Sequence, residues 1–482
     1  MSFQPRSAQY IWTQERMSFR LKGFISVLVL SMVGILPLVS FCVPAPDETV
    51  KATGPDQPTP AAPSNRSEVA VYDADPSHLW NRLYAALFVR ITEDGRTYGL
   101  DDLDPFLWPS STYLLTEPRY EQVLALLNEF LDQRGERLIS EPLKRALFQH
   151  DLWSIFDWLA DPDAEYGKRA HLIANRRALR NRLASIIHRL ALSADEIETL
   201  PDNYHLAVAS EAYSVKHDPA HAEKAFLPRD LFDANGPWVH FQTEGGKPYP
   251  FGKPTALVHA FFVSGRSAFF VFMNLPGGRQ ATLHYMQKVN AFPPDASPHT
   301  SQKRLLTSNA GALPPPAGTQ FALVRQIILI DQNGKMRPTR LVESVQIRVV
   351  RGNVEKESDF YEFTQHRKQL FDGKGLRAVK SDEVRIPVFN VRDEDVLDLP
   401  RTARLRREEA LKGSGPVTEN LRFGCISCHT RSGIASVSSF FHDLPPGLTA
   451  SERGKEVERG IRWKGEKFNW GLLEGLAADR EK

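Results

Sequence analysis

Five consecutive residues near the C-terminus combine the side chains that attach and ligate a haem: Cys425-Ile426-Ser427-Cys428-His429. Two thiols three positions apart lie on one side of a helical turn, so both can form thioether bonds with the edge of one porphyrin. The imidazole of His429 is then held beneath the ring, where one of its nitrogens can bind the iron. The spacing therefore predicts one covalent haem of the c type, with His429 as its proximal ligand.

Three other kinds of site use the same residue types. A structural zinc site needs four ligands, usually in two pairs, but the only other cysteine is Cys42 and no pair of histidines follows His429. A dithiol redox motif needs a surrounding βαβ pattern, which we do not find around Cys425. A structural disulfide between Cys425 and Cys428 neither explains nor excludes the adjacent histidine. Haem attachment is favoured because the motif occurs together with an export-type N-terminus.

On this pentapeptide, the segment from about Leu411 to the C-terminus resembles c-type cytochromes. The resemblance implies a small α-helical cytochrome c-like segment, electron transfer through the haem, and a redox partner protein that the sequence does not identify. It also implies an exported chain, because haem c is attached outside the bacterial cytoplasmic membrane.

The iron position opposite His429 departs from the common cytochrome pattern, in which a methionine follows the proximal histidine. No methionine follows His429 in this chain, and His442 is the only imidazole in the same tail. We therefore predict His442 as the distal ligand. The alternatives are an ordinary exposed His442, an open iron position, or a methionine from elsewhere in the chain. The candidate methionines are Met273, Met286 and Met336.

The N-terminus has the pattern of a membrane anchor. Basic residues precede an almost wholly apolar run over residues 24–43, which at about 20 residues is long enough to span a bilayer. We predict an uncleaved anchor within residues 1–45, or alternatively a cleaved signal peptide or a lipoprotein attached through Cys42. Met17 is a second candidate start. Residues 46–68 are rich in proline and predict an extended linker, so the remainder is expected to face the periplasm.

Composition excludes several classes of protein. The chain of 482 residues contains three cysteines, so a disulfide framework is excluded. Its net charge of +2 gives no indication of nucleic-acid binding. Motifs for a nucleophilic serine, a phosphate-binding loop and a dinucleotide site are absent, and the sequence leaves open whether the protein is an enzyme.

Residues 69–225 are predicted to form a helical region, because apolar residues recur there at spacings of three and four. The predicted helices cover residues 78–89, 120–131, 143–159 and 165–192. Ser193 is predicted to cap the helix that follows. The arginines along residues 165–192 are interpreted as a solvated basic face rather than a binding patch.

Residues 226–400 are predicted to form a β-rich, sandwich-like region. Candidate strands cover residues 238–241, 256–263, 268–273, 321–330 and 341–350. The pair Asn333-Gly334 predicts a hairpin, because a tight two-residue turn needs positive φ values. His240 and His259 lie in strand segments and are interpreted as packed side chains rather than metal ligands. With residues 401–482 as the haem segment, we expect a multidomain α+β protein.

The expected function is electron transfer by a membrane-tethered, extracytoplasmic protein with one haem c. The first alternative is a haem-based sensor or small-ligand-binding protein with an open or exchangeable distal site. The second is an exported interaction protein without a redox role, in which the pentapeptide is coincidental.

Overall fold

The computed structural model describes residues 69–91, 97–98, 114–160, 170–243, 267–291, 315–352, 358–380, 384–385, 419–420, 448–466 and 468–478. All of them belong to one compact unit, Asn65–Lys482. The predicted domain boundaries at 225/226 and 400/401 fall within this unit and stay predictions. The predicted anchor (residues 1–45), the linker (46–68) and the candidate strand at residues 256–263 lie outside the described residues.

Helices and strands both occur, so the predicted α+β composition is confirmed. In chain order the described elements are α1 (Leu79–Phe88), β1 (Arg90–Ile91), β2 (Thr97–Tyr98), α2 (Arg119–Asp132), α3 (Pro142–Ala160), α4 (Ala170–Arg189), α5 (Ala194–Glu198), α6 (Asn203–Ala209), β3 (Val239–Thr243), β4 (Ser267–Asn274), α7 (Gly278–Asn290), β5 (Gln320–Ile330), β6 (Met336–Val350), β7 (Ser358–Thr364), α8 (Arg367–Phe371), β8 (Arg377–Ala378), β9 (Val384–Arg385), β10 (Glu419–Asn420), β11 (Leu448–Ala450), α9 (Arg453–Gly465) and α10 (Phe468–Ala478).

A seven-stranded antiparallel sheet organises the molecule, with the strand order β11-β3-β4-β5-β6-β7-β8. Consecutive strands from β3 to β8 are neighbours, as in a meander. The exception is β11, which returns from the C-terminal region to pair with β3 at the edge. The other described strands form two short ladders, β1 with β2 and β9 with β10. The described strands thus give one extended sheet, and the sandwich-like packing stays a prediction.

Both faces of the sheet are buried, since residues 267–273 of β4 are all buried. On one face, Phe270, Phe272 and Val345 belong to the largest hydrophobic cluster, which also contains side chains from helices α1 to α4. On the other face, Val271 and Met273 pack in a second cluster with residues of α7. Such two-sided burial explains why β4 is a continuous apolar run rather than an alternating one.

Helix α3 lies at the centre of the helical part. Its residues 146–157 are all buried, including the polar side chains of Gln149, Asp151 and Asp157. Trp80 of α1 stacks on Phe148 of α3 with ring centroids 4.6 Å apart. At the end of α4, Ser193 caps α5: its hydroxyl accepts from the Glu196 N–H, while the Glu196 carboxylate accepts from the Ser193 N–H. The predicted cap is confirmed.

Two side-chain amides join the helices to the sheet. Gln149 of α3 donates to the Ile330 carbonyl (2.9 Å) and accepts from the Ile330 N–H (2.9 Å). Its amide therefore pairs with β5 as the backbone of a neighbouring strand would. Asn203 of α6 makes the same pair of bonds with Val342 of β6, each 2.7 Å. The Val342 bonds lie at a register irregularity between β5 and β6, where the strand's own pairing is interrupted.

The predicted β5–β6 hairpin is confirmed, but its turn differs from the expected two-residue type. The strands end at Ile330 and resume at Met336, and of the intervening residues only Gly334 has a positive φ, at 71°. The Asp331 carboxylate explains the wider turn. It accepts from the N–H groups of Asn333 (2.9 Å) and Lys335 (2.8 Å), so an aspartate-based turn replaces the expected pair of left-handed residues.

Candidate functional site

The residues predicted to hold the haem, Cys425, Cys428 and His429, lie outside the described residues, and so does His442. The structure describes the elements on either side of them. Before the pentapeptide, β10 pairs with β9 through Asn420 and Val384. After His442, the chain enters β11 at Leu448 and joins the edge of the main sheet. Residues 448–450, which follow the predicted haem motif in the sequence, are therefore paired with β3.

A buried histidine, His240, lies at the junction of β3 and β11. Ala450 pairs with Phe241, and the next residue, Ser451, donates its N–H to the His240 carbonyl at 2.9 Å. The Nδ1 atom of His240 lies 3.2 Å from the Ser451 carbonyl oxygen. Since a carbonyl only accepts, this contact requires a proton on Nδ1. The other ring nitrogen, Nε2, then carries the lone pair of the neutral imidazole.

The surroundings of His240 keep its ring neutral. The side chain is 7% exposed, and the rings of Phe270 and Phe272 lie 5.6 and 5.2 Å from the imidazole centroid. Burial lowers the pKa of His240 to about 4; the bond to the Ser451 carbonyl opposes this shift, and the nearby Arg453 adds to it. At neutral pH the buried Nε2 therefore presents a lone pair. Within the described part of the chain, Nε2 has no hydrogen-bond partner.

A guanidinium lies beside this histidine. Arg453, the first residue of α9, places its guanidinium carbon 4.6 Å from the ring centroid of Phe232 and 6.0 Å from that of Phe270. Burial lowers the pKa of Arg453, and the negative charge of Asp202 opposes this shift. We call His240, Phe270, Phe272 and Arg453 the His240 cluster. The cluster combines the unprotonated Nε2 of His240, two phenylalanine rings and the positive charge of Arg453.

Four other described histidines make contacts of a different kind. His78 and His366 accept backbone N–H bonds at the start of α1 and α8 through Nδ1. His217 lies 2.9 Å from the Asp359 carboxylate, and His221 lies 3.4 Å from Glu223. In each of these four residues, a ring nitrogen either accepts a backbone N–H at the start of a helix or lies beside a carboxylate. His240 differs because its Nε2 is buried and has no hydrogen-bond partner within the described part of the chain.

The methionines considered as distal ligands are packed in apolar clusters. Met273 and Met286 lie in the cluster between the sheet and α7, and Met336 lies in the largest cluster. Their exposures are 0%, 3% and 9%. Each thioether therefore contributes to a hydrophobic core in this structure.

Three buried ion pairs, which the sequence did not predict, lie outside the His240 cluster. Arg367 binds Asp151, Arg325 binds Glu343, and Lys464 binds Asp157, with N–O distances of 2.5, 3.1 and 3.2 Å. Each charge is met by an opposite one, which suits a structural role. A signal for two of them does exist in the sequence: Asp151 and Asp157 are the two acidic residues of α3, within a stretch that is rich in large apolar side chains.

Two kinds of feature are absent from the described ranges. No group of three or more His, Cys, Asp or Glu side chains is arranged there to hold a metal ion. None of the described helices is both long enough and apolar enough to cross a bilayer.

Comparison with known proteins adds no relative. No protein-family model matches the chain, and neither a curated protein nor a solved structure is significantly similar to it.

Proposed function

We propose that this protein is a c-type cytochrome with one haem, which it uses for electron transfer on the outer side of a cytoplasmic membrane. The observation that carries the proposal is the pentapeptide with Cys425, Cys428 and His429. The only other thiol in the chain is Cys42, so a zinc site of four Cys and His ligands has no obvious second pair. The apolar run at residues 24–43 supports export and a membrane tether.

The chemistry of attachment follows from the two thiols. Each thiol adds across one vinyl group of the haem: its sulfur forms the new C–S bond and its hydrogen passes to the neighbouring vinyl carbon. The addition needs no oxidant or reductant. His429, next to the second cysteine, then has its imidazole held against the iron. The bound haem supplies the one-electron redox chemistry, and these three residues fix its place in the protein.

A second candidate function is the binding of a small ligand at the iron. It is favoured by one feature of the sequence, the lack of any methionine after His429. An open or exchangeable sixth position would bind diatomic molecules, whereas a filled one suits electron transfer. The spectrum of the reduced protein with and without carbon monoxide separates the two, because only an open or weakly held position binds it readily.

The proposal is tested by haem staining after denaturing electrophoresis. Thioether bonds survive denaturation, so the full-length band is expected to keep haem-dependent peroxidase activity when the protein is made with a cytochrome maturation system. Cys425→Ser or Cys428→Ser should weaken the stain, and the double variant should abolish it. Cys42→Ser is the matched control and should stain as strongly as wild type. A wild-type band that does not stain contradicts the proposal.

A further inference from the structure

Helix α4 has an unusual charge pattern: its 20 residues, Ala170–Arg189, include five arginines and no acidic residue. Two of these arginines have a structural role. Arg189 donates to the Leu131 carbonyl in the last turn of α2 (2.7 Å), and Arg176 donates to the Leu159 carbonyl in the last turn of α3. Such carbonyls have no partner within their own helix, so the two guanidinium groups complete the helix ends.

Arg180 is in a different situation. Its Nε is buried and has no hydrogen-bond partner in the described part of the chain. Burial lowers the pKa of Arg180, and the positive charges of Arg176 and Arg177 lower it further. The guanidinium therefore lies among like charges, and an anion bound nearby would relieve their repulsion.

Four residues of α4 share one face of the helix. Ile173, Arg176, Arg177 and Arg180 follow the spacing i, i+3, i+4 and i+7, which places them at neighbouring positions on the helix surface. Ile173 is 42% exposed, and Arg177 is exposed as well. We call these four residues the α4 arginine patch. It combines three cations with one exposed aliphatic side chain.

A second exposed apolar side chain lies at the same end of α3. Phe468, the first residue of α10, is 59% exposed. The next residue, Asn469, donates to the Asp157 carbonyl at 3.4 Å. Asp157 is close in the helix to Leu159, whose carbonyl accepts the bond from Arg176. The C-terminal end of α3 is thus flanked by the α4 arginine patch and by an exposed phenylalanine.

We propose that the α4 arginine patch and Phe468 dock on the surface of an anionic phospholipid bilayer. Arginine binds phosphate groups through two parallel N–H donors, and exposed apolar side chains enter the boundary between the headgroups and the acyl chains. The proposal gives a partner to a helix face that is interpreted from the sequence as solvated.

Two other anionic partners fit the patch less well. A free ion such as phosphate would need donors that enclose it, but Ile173 and Arg177 are exposed on the helix surface. An acidic protein would satisfy the charges, but it binds only in passing. A tethered chain is held beside a bilayer, so that even a weak contact is occupied. The inference therefore rests on the membrane tether of the proposed function, and it does not depend on the haem.

The test is photo-crosslinking from position 173 in the full chain. Ile173 is replaced by p-benzoylphenylalanine, and the protein is reconstituted in bilayers of phosphatidylglycerol or of phosphatidylcholine. After irradiation, the mass of the tryptic peptide shows whether a lipid is attached. We expect lipid adducts in phosphatidylglycerol and few in phosphatidylcholine. Arg177→Gln/Arg180→Gln should lower the adduct yield by about fivefold or more, since one arginine near an anionic surface contributes on the order of fivefold in binding.

Two matched controls use exposed residues elsewhere in the chain. Arg340→Gln removes an exposed arginine of β6 and should leave the adduct yield unchanged. The same photo-reactive residue at Val215, a side chain that is 38% exposed, should give equal yields in the two lipids.

The outcomes separate the inference from the proposed function. Protein that enters both bilayers but gives equal adduct yields in them, or no adducts, overturns the inference and leaves the tether intact. Protein that enters neither bilayer overturns the tether. In that case, retention of the chain on phosphatidylglycerol vesicles, lost in Arg177→Gln/Arg180→Gln, supports the patch, and no retention overturns it. Crosslinking to a protein instead of a lipid in intact cells overturns the inference in favour of an acidic protein partner.

Discussion

At the scale of single residues, the buried ion pair between Arg367 and Asp151 is supported by a third side chain, Tyr72. Both side chains are almost completely buried, and the Arg367 Nε and the Tyr72 hydroxyl donate to the same carboxylate oxygen at 2.9 and 2.7 Å. Burial, reinforced by the negative charge of Asp151, holds the pKa of Tyr72 well above its usual value, so the hydroxyl keeps its proton. The carboxylate thus receives charge-assisted bonds from two directions.

Removal of Arg367 would leave the Asp151 carboxylate buried without its positively charged partner. We expect Arg367→Met to lower the free energy of unfolding by about 3–5 kcal/mol, the cost of breaking a buried pair from one side. The double variant Arg367→Met/Asp151→Asn should recover part of the loss. The control is Arg82→Met, which breaks an exposed pair with Glu129 at 2.8 Å and should cost at most about 1 kcal/mol. Urea unfolding gives the free energy of unfolding of each variant. Equal decreases for Arg367→Met and Arg82→Met would contradict the greater importance of the buried pair.

The neutral His240 makes stability depend on pH. Its pKa in the folded protein is about 4, lowered chiefly by burial. In the unfolded chain the value is about 6.5. Between these values the unfolded state binds a proton that the folded state does not, so stability falls as the pH drops through this window.

We expect wild-type protein to lose up to about 3 kcal/mol more than His240→Leu when the pH falls from 7 to 4, on the scale of 1.36 kcal/mol per pKa unit. Urea titrations at several pH values give the difference. His205→Ala, at an exposed position on α6, serves as the control and should follow wild type. A His240→Leu profile parallel to that of wild type would show that the buried ring is protonated without cost.

At the scale of elements, two glycines differ in whether their backbone conformation tolerates a side chain. Gly334, in the turn between β5 and β6, has a φ of 71°, which side-chain-bearing residues rarely adopt. Gly475 lies inside α10, where an added Cβ meets no atom within 4 Å. The same substitution should therefore have opposite effects at the two positions.

Gly334→Ala is expected to destabilise the protein by about 1–2 kcal/mol, because it forces a Cβ into the left-handed region. Gly475→Ala is expected to stabilise it by about 0.5–1 kcal/mol through helix propensity. Thermal or urea unfolding gives both values, and each variant is the control of the other. Changes of the same sign would mean that the turn or the helix differs from the one described.

At the scale of the whole molecule, local periodicity predicted the elements well. The apolar spacing placed α1, α2 and α3 within one or two residues of their observed ends, and the β5–β6 hairpin followed from two strands around Asn333-Gly334. Such features depend on neighbours in the sequence. The pairing of β11 with β3 does not, because it joins residues about 200 positions apart and β11 is only three residues long.

The contrast between local and long-range features also explains which parts of the candidate site can be predicted from the sequence. The proposed haem attachment motif is contained in five consecutive residues, so the proposal depends only on their types and order. His240 is predicted to be a packed side chain because its local sequence shows only a strand, and its side chain is indeed buried. Its fixed tautomer comes from Ser451, and its charged neighbour is Arg453; both follow β11. No periodicity within β3 could have revealed that environment.

The most direct test of the central claim is the mass of one tryptic peptide. Trypsin cleavage after Arg422 and Arg431 releases residues 423–431, which contain Cys425, Cys428 and His429 but not Cys42. The protein, made with a cytochrome maturation system, is denatured, reduced and alkylated before digestion. The account predicts that this peptide carries the mass of one haem and no alkyl group. A peptide with two alkylated cysteines and no haem would contradict it.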